Sequence, residues 1–201
     1  MAHPLKQIYQ LKVILVGARP SIWRSFLIED TASLSMLHEA LQVVMGWANS
    51  HLHQFIVKGQ RYGELDGESD LLDERKVKVR EALKFRGDAL MYEYDFGDEW
   101  EHVVLVEKIL PFTARSRLPQ CIKAKGACPP EDVGGVHGYR RFLAALKNKK
   151  HREHRTYAEW IGGHFDEAAY NIQQVNAQLR RTDAQQRVPA DGPRAARSAR
   201  R

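Results

Sequence analysis

The 201 residues, 43% of them hydrophobic, suffice for one core of ordinary domain size, with room for an appended subdomain. No apolar run approaches the roughly 18 residues that span a bilayer and the amino terminus lacks the basic-then-apolar order of a signal peptide, which argues against membrane association and makes a cytoplasmic location the expectation. The formal charge of +6 is a weak sign of a nucleic-acid partner, because seven arginines against Asp183 and Asp191 place +5 of it after residue 179.

In chain order, Ile8 to Val16 is a strand candidate ended by the Gly17–Pro20 break, and a second strand is expected over Ile22 to Ile28. After Asp30 the period changes. Leu34, Leu37, Leu41 and Val44 recur at spacings of three and four, which predicts a helix capped by Ser33 and ended by Gly46. His51 to Lys58 then alternates as a strand, with His51, His53, Phe55 and Val57 on one side. This is an early β-β-α-β unit. Residues 61–87 are polar and give only a short helical or extended piece near Val77 to Leu83.

A hairpin of Ala89–Phe96 and Trp100–Leu110 follows, and the run Val103-Val104-Leu105-Val106 predicts burial on both faces of its second arm. A loop of about 25 residues comes next, rich in Pro and Gly, a length that is often functional. It holds both cysteines, Cys121 and Cys128, whose spacing does not fit a Cys-x-x-Cys zinc knuckle and which are expected to be reduced thiols. Helices are predicted at Tyr139–Lys147, Tyr157–Ile161 and Glu167–Leu179. The chain thus divides into one α+β domain over 1–180, with a mixed, mainly antiparallel sheet and a carboxy-terminal helical layer, and a basic, disordered tail over 181–201.

The densest chemistry is at Tyr92-Glu93-Tyr94-Asp95-Phe96-Gly97-Asp98-Glu99-Trp100-Glu101-His102. With Gly97 and Asp98 opening the turn and Glu99 and Trp100 closing it, Asp95 is expected opposite His102, an acid–imidazole pair. His51 and His53 on one strand face, with Asp95, Asp98 and His102 in the hairpin, offer a mixed nitrogen and oxygen site for zinc, manganese or iron, the metal candidates being His51, His53, Asp95 and His102. The structural reading is favoured over the metal one: Asp95 and His102 as a cross-strand ion pair, Asp98 capping the turn, His51 and His53 bordering the core. Trp47, Trp100, Tyr92 and Tyr94 are read as core or groove lining in preference to a base-stacking platform. In Pro129-Pro130-Glu131-Asp132-Val133-Gly134-Gly135, two prolines stiffen the entry and two glycines free the exit, so Glu131 and Asp132 are presented for hydrogen bonding to backbone or for acid–base and metal work. No cofactor is expected unless this cluster holds a divalent metal.

Five segments together resemble one family: Ile22-Trp23-Arg24; Leu37-His38-Glu39-Ala40-Leu41-Gln42 with Met45-Gly46-Trp47; His51-Leu52-His53-Gln54-Phe55; the Tyr94–His102 hairpin; and Cys128–Gly135. Over residues 5–180 their order is similar to that of the plasmid Ri open-reading-frame-three-like family. The resemblance implies an α+β domain with mobile-element associations, since members occur on plasmids, in bacterial chromosomes and as insertion-element passengers, some labelled transposon resolvase. A serine recombinase needs a nucleophilic Ser, phosphate-gripping arginines and a helix-turn-helix module. Ser21 and Ser25 near Arg19 and Arg24 fit only superficially, and no recognition helix follows.

The reading of choice is a noncatalytic binding or accessory protein linked to mobile DNA, its candidate surface formed by His51, His53, Asp95, Asp98, Trp100, His102, Glu131 and Asp132. DNA contact would come through Arg180, Arg181, Arg187, Arg194, Arg197, Arg200 and Arg201 of the tail. The alternatives are a metal-dependent hydrolase or nuclease using His51, His53, Asp95, Asp98 and His102, and a module that binds a protein partner beside the proline-rich loop.

Overall fold

The computed structural model describes residues 5–65, 70–113 and 116–186. Strands β1 (Gln7–Leu15) and β2 (Trp23–Glu29) form a hairpin, helix α1 (Leu34–Met45) crosses the sheet, and β3 (His53–Val57), β4 (Gln60–Gly63) and β5 (Leu72–Asp73) follow. After a one-turn helix α2 (Val79–Ala82) come β6 (Ala89–Tyr94), β7 (Trp100–Pro111), β8 (Gln120–Lys125) and helices α3 (Gly135–Lys147), α4 (His154–Trp160) and α5 (Ile172–Gln186). The eight strands make one sheet in the order β5-β4-β3-β6-β7-β1-β2-β8, antiparallel throughout except for the β4–β5 pair. The β6–β7 hairpin is therefore wedged between β3 and β1, two strands that lie in the same early β-β-α-β unit.

Alternation decides which face is covered. Tyr9, Leu11, Val13 and Leu15 of β1, Tyr92 and Tyr94 of β6, and Trp100, Val104 and Val106 of β7 are buried beneath the helices. They meet Leu34, Leu37, Leu41 and Val44 of α1, each side chain contributing roughly 1.5–3 kcal/mol by leaving water. Ser33 caps α1 by accepting from the Met36 amide at 3.1 Å, and Gly46 closes it in the left-handed region at φ 104°. The carbonyls freed at that end are taken by Arg24, which is fully buried on β2. Its Nε donates to the Val44 carbonyl at 2.7 Å and its other nitrogens to the carbonyls of Met45, Lys125 and Trp23, while the guanidinium lies 4.1 Å from the centre of the Tyr170 ring. An Arg so engaged is a helix cap and cannot grip a phosphate, which removes the recombinase role considered for it.

Four expectations are corrected. Val103 and Leu105 are only half-buried, because the antiparallel sheet carries its helices on one face and leaves the other open. The long loop contains β8, a strand with a single buried side chain, Cys121, too weak a pattern to stand out. The last helix starts at Ile172, where the Asn171 side chain accepts from the Gln174 amide at 3.0 Å. It then runs to Gln186, past the expected helix end at Leu179. Arg180 and Arg181 are exposed on α5, whereas Arg187, Arg194, Arg197, Arg200 and Arg201 lie outside the described residues. Both cysteines are free thiols, and no described helix is long and apolar enough to cross a membrane.

Candidate functional site

Three loops meet where β3 begins and β6 ends. The first, residues 46–52, leaves α1 through Gly46 and turns at Asn49 (φ 55°), whose amide donates to Gln42 Oε1 at 2.9 Å. The second is the hairpin turn. Asp95 (φ 58°) and Glu99 (φ 53°) are both left-handed, and the Glu99 amide donates to the Asp95 carbonyl at 2.7 Å. The third, residues 128–134, is fixed from both ends. Cys128 lies beside Gly46, where an added Cβ would come within 3.2 Å of its own Cβ, and Asp98 Oδ2 accepts from the Gly134 amide at 3.1 Å. Gly135 approaches the Asp98 carbonyl so closely that a Cβ there would collide with it.

The hairpin register differs from the expected one by three residues. Tyr92, Glu93 and Tyr94 stand opposite His102, Glu101 and Trp100, so the Asp95–His102 pair does not form. The turn is a five-residue loop, 95–99, closed by Asp95 itself: Oδ1 accepts from the amides of Gly97 at 2.9 Å and Asp98 at 3.3 Å. With Oδ1 committed to the backbone, Oδ2 is left to face His51, whose Nε2 is 3.7 Å away.

His51 is the centre of the cluster. Its Nε2 lies 3.3 Å from Glu131 Oε2 and 3.4 Å from Asp132 Oδ1 as well, and its ring stands edge-on to Tyr94 with centroids 5.8 Å apart. Glu131 has a second duty: it accepts from the Ala48 amide at 2.7 Å, from Ser50 Oγ at 3.2 Å and from the Tyr94 hydroxyl at 3.2 Å. Burial raises the Tyr94 pKa above the usual phenol value, which keeps the proton it donates, and its oxygen accepts from the Ser50 amide at 3.0 Å. One ligand atom each from His51, Asp95 and Asp132 lie within 4.8 Å of one another. Small divalent cations with bonds of roughly 2.0–2.2 Å separate neighbouring ligand atoms by roughly 3.0–3.5 Å, so the 3.4 Å from His51 Nε2 to Asp132 is of that size and the 3.7 Å to Asp95 needs a small closure, while Glu131, its oxygens engaged by Ala48, Ser50 and Tyr94, stands outside that trio. The donor set of one imidazole and two carboxylates suits manganese, zinc or magnesium and not a soft ion. Asp132 is three-quarters exposed, which leaves one side of the cluster open to solvent.

The other sequence candidates are elsewhere. His53 is turned into the core, where its Nε2 meets Glu74 Oε2 at 2.8 Å and its ring stacks on His38 at 3.5 Å. Burial, and then the neighbouring His53, lowers the His38 pKa to about 3. His102 is fully buried with both nitrogens used: Nδ1 on the Tyr92 carbonyl at 3.2 Å and Nε2 accepting from Trp47 Nε1 at 3.4 Å. Desolvation lowers its pKa to about 4, so it is a neutral core histidine with a fixed tautomer. Trp100 is wholly buried and packs on Trp47 at 5.1 Å, and Asp98 caps the third loop. Sequence reasoning passed over Ser50, Tyr94 as a hydroxyl donor, and the His53–Glu74 pair. The first two carry no spacing signal, and Glu74 belongs to a segment without periodicity. A cleft of about 1020 Å³ runs from His51 past His53, Arg61 and Arg75.

The profile described as plasmid pRiA4b ORF-3-like protein matches residues 7–174. The chain is 39% identical over 173 residues to the uncharacterized protein y4hQ of Sinorhizobium fredii (strain NBRC 101917 / NGR234), covering 84% of this chain and 89% of that one. Among solved structures it is similar to the protein of unknown function MM3350 from Methanosarcina mazei Go1, with a TM-score of 0.76 and 34% identity over 85% of this chain and 98% of that one.

Proposed function

The chain belongs to the plasmid pRiA4b ORF-3-like family, and on that premise we propose that it is a noncatalytic accessory protein of mobile DNA that binds one divalent cation at His51, Asp95 and Asp132, with Glu131 as the neighbouring carboxylate that orients His51. The observation that carries the reading is the convergence of the imidazole Nε2 on three carboxylates, each within 3.7 Å. Three formal negative charges around a single imidazole favour a cation, and the oxygen Asp95 does not spend on its own turn is the one that faces the ring. The noncatalytic part of the reading is supported by where the nucleophiles lie. Burial pushes the Cys121 and Cys128 thiols up, away from thiolate, and Ser25 donates its hydroxyl to Glu107 at 2.7 Å.

The test is thermal unfolding and calorimetric titration with MnCl₂, ZnCl₂ and MgCl₂ on wild type, His51→Ala and Asp132→Ala. A cation present at 100 times its Kd adds about 2.7 kcal/mol, which for a chain of this size raises Tm by about 5–11 °C. Loss of that rise in both variants is the expected result. A wild-type Tm unmoved by all three salts at millimolar concentration would rule the site out. The hydrolase reading is kept because of the cleft beside the cluster, and it narrows to His51, Asp95 and Asp132. Cation-dependent cleavage of a simple phosphodiester, abolished by His51→Ala, would favour it over the noncatalytic one.

A further inference from the structure

The face of the sheet opposite the helices is built in cross-strand rows. In one row Lys125, Trp23, Ile14, Val103, Met91 and Ile56 are successive partners across β8, β2, β1, β7, β6 and β3. In the next, Lys123, Ser25, Lys12 and Leu105 are. Directly opposed residues of antiparallel strands project from the same face, so an apolar floor ends, at the β8 side, in an indole set among lysines. A groove of about 590 Å³ lies there, lined by Lys12, Trp23, Arg86, Lys108 and Lys123 together with the Ser25 and Glu107 polar groups.

The charge of this end is one-sided. Lys108, Lys123, Lys125 and Arg86 are exposed, and Lys12 Nζ stands 4.4 Å from the centre of the Trp23 ring. The one carboxylate in the groove, Glu107, is already engaged, accepting from Ser25 Oγ at 2.7 Å and Gln10 Nε2 at 2.8 Å, with Lys12 at 3.9 Å. Of the other acids on this face among the described residues, Glu93 and Glu101 lie opposite each other at the far end of β6 and β7, and Glu29, opposite Ile8, lies at the other end of β2 with Lys6 at 3.3 Å. Lys123 and Lys125, alternate residues of β8, are spaced by roughly 7 Å. An aromatic ring flanked by cations on an open sheet is the arrangement that stacks an unpaired base while holding the phosphates on either side of it.

We propose that this face binds single-stranded nucleic acid, one base stacking on Trp23 in place of the Lys12 ammonium that lies over the ring, and the backbone running over the displaced Lys12 and over Lys123, Lys125, Lys108 and Arg86. A duplex keeps its bases stacked on each other and offers Trp23 nothing, so the face discriminates strand state and not sequence. The surface shares no residue with the His51 cluster, and its success or failure is independent of the cation reading.

Fluorescence anisotropy of a labelled oligo(dT) 20-mer and of a duplex of equal length, titrated with the full chain, tests it. The basic residues after 186 are identical in every variant, so only the sheet face changes. Trp23→Ala is expected to weaken oligo(dT) binding by about tenfold or more, while Trp23→Phe, which keeps a stacking ring, stays near wild type. Lys123→Gln and Lys125→Gln, on an edge strand where folding is not at stake, each lower the slope of log K against log salt by about 0.7, and they carry the test if Trp23→Ala fails to fold. Wild-type affinity and salt slope in both lysine variants, binding by Trp23→Ala equal to wild type, or no binding of the 20-mer at all would overturn the proposal. So would a Trp23-dependent dimer in gel filtration with oligonucleotide binding unchanged.

Discussion

Asp95 holds its own turn with one oxygen and faces His51 with the other, so two substitutions there separate fold from site. In Asp95→Asn the side-chain oxygen still accepts from the Gly97 and Asp98 amides, now at 2.9 and 3.3 Å, and Asn tolerates a φ of 58°. Stability is expected to stay within about 0.5 kcal/mol of wild type. Asp95→Ala loses both hydrogen bonds, about 0.5–1.5 kcal/mol each, and leaves a left-handed residue without its local partner, about 1 kcal/mol more. A cost of about 2–4 kcal/mol follows, or a Tm lower by about 4–16 °C. Both variants lack the oxygen that faces His51 Nε2, and both should lose at least about tenfold in manganese affinity, the loss that even an outer-sphere partner of a metal ligand produces. Urea denaturation followed by circular dichroism gives the first quantity and calorimetric titration the second. Equal destabilisation by the two substitutions would refute the assignment of Oδ1 to the turn, and full manganese affinity in Asp95→Asn would refute the assignment of Oδ2 to the site.

His102, with a folded pKa of about 4 set by desolvation against about 6.5 unfolded, contributes stability that is complete above pH 6.5 and is lost as pH falls towards 4. Stability should drop by about 2 kcal/mol from this residue between pH 7 and pH 5, and the slope of urea midpoint against pH should flatten in His102→Gln. Gly138→Ala places a Cβ against the Val133 carbonyl and should cost about 2 kcal/mol or more, unseating the start of α3, as thermal melts would show; a melt within 1 °C of wild type would mean the approach is not as close as described. Glu74→Ala leaves the buried His53 Nε2 without its hydrogen-bond partner and should cost about 1–3 kcal/mol, whereas exposed Glu159→Ala, which removes the Arg155 pair on α4, should cost less than about 1 kcal/mol in the same urea titration.

What the sequence made legible was whatever one element decides alone. Helix α1 was readable to the residue because Ser33, four apolar positions and Gly46 each act locally. The β-β-α-β start and the existence of the β6–β7 hairpin followed from periodicity in the same way. The register of that hairpin was not legible, since it turns on whether Asp95 bonds sideways to His102 or backwards to Gly97 and Asp98, and the run Val103-Val104-Leu105-Val106, apolar at every position, does not tell an odd register from an even one. The cluster was half legible for a related reason. His51, Asp95, Glu131 and Asp132 were all named, but their convergence depends on Asp98 and Gly135 docking two loops that are more than thirty residues apart. His53 and His102 looked like ligands because strand position was visible and depth was not.

The insertion of β6–β7 between β3 and β1 bears on how the polypeptide is born. Emerging from a ribosome, the first sixty residues can zip β1 to β2 and close α1, yet β1 and β3 have no use for each other until Val103 and Met91 arrive to bridge them. Until then the nascent sheet carries two unsatisfied rims and a helix with half its floor missing, a sticky intermediate whose lifetime is set by translation speed. Pausing synthesis before residue 111 should make the chain a client of chaperones, and that dependence should fall stepwise once β7 and then β8 have emerged.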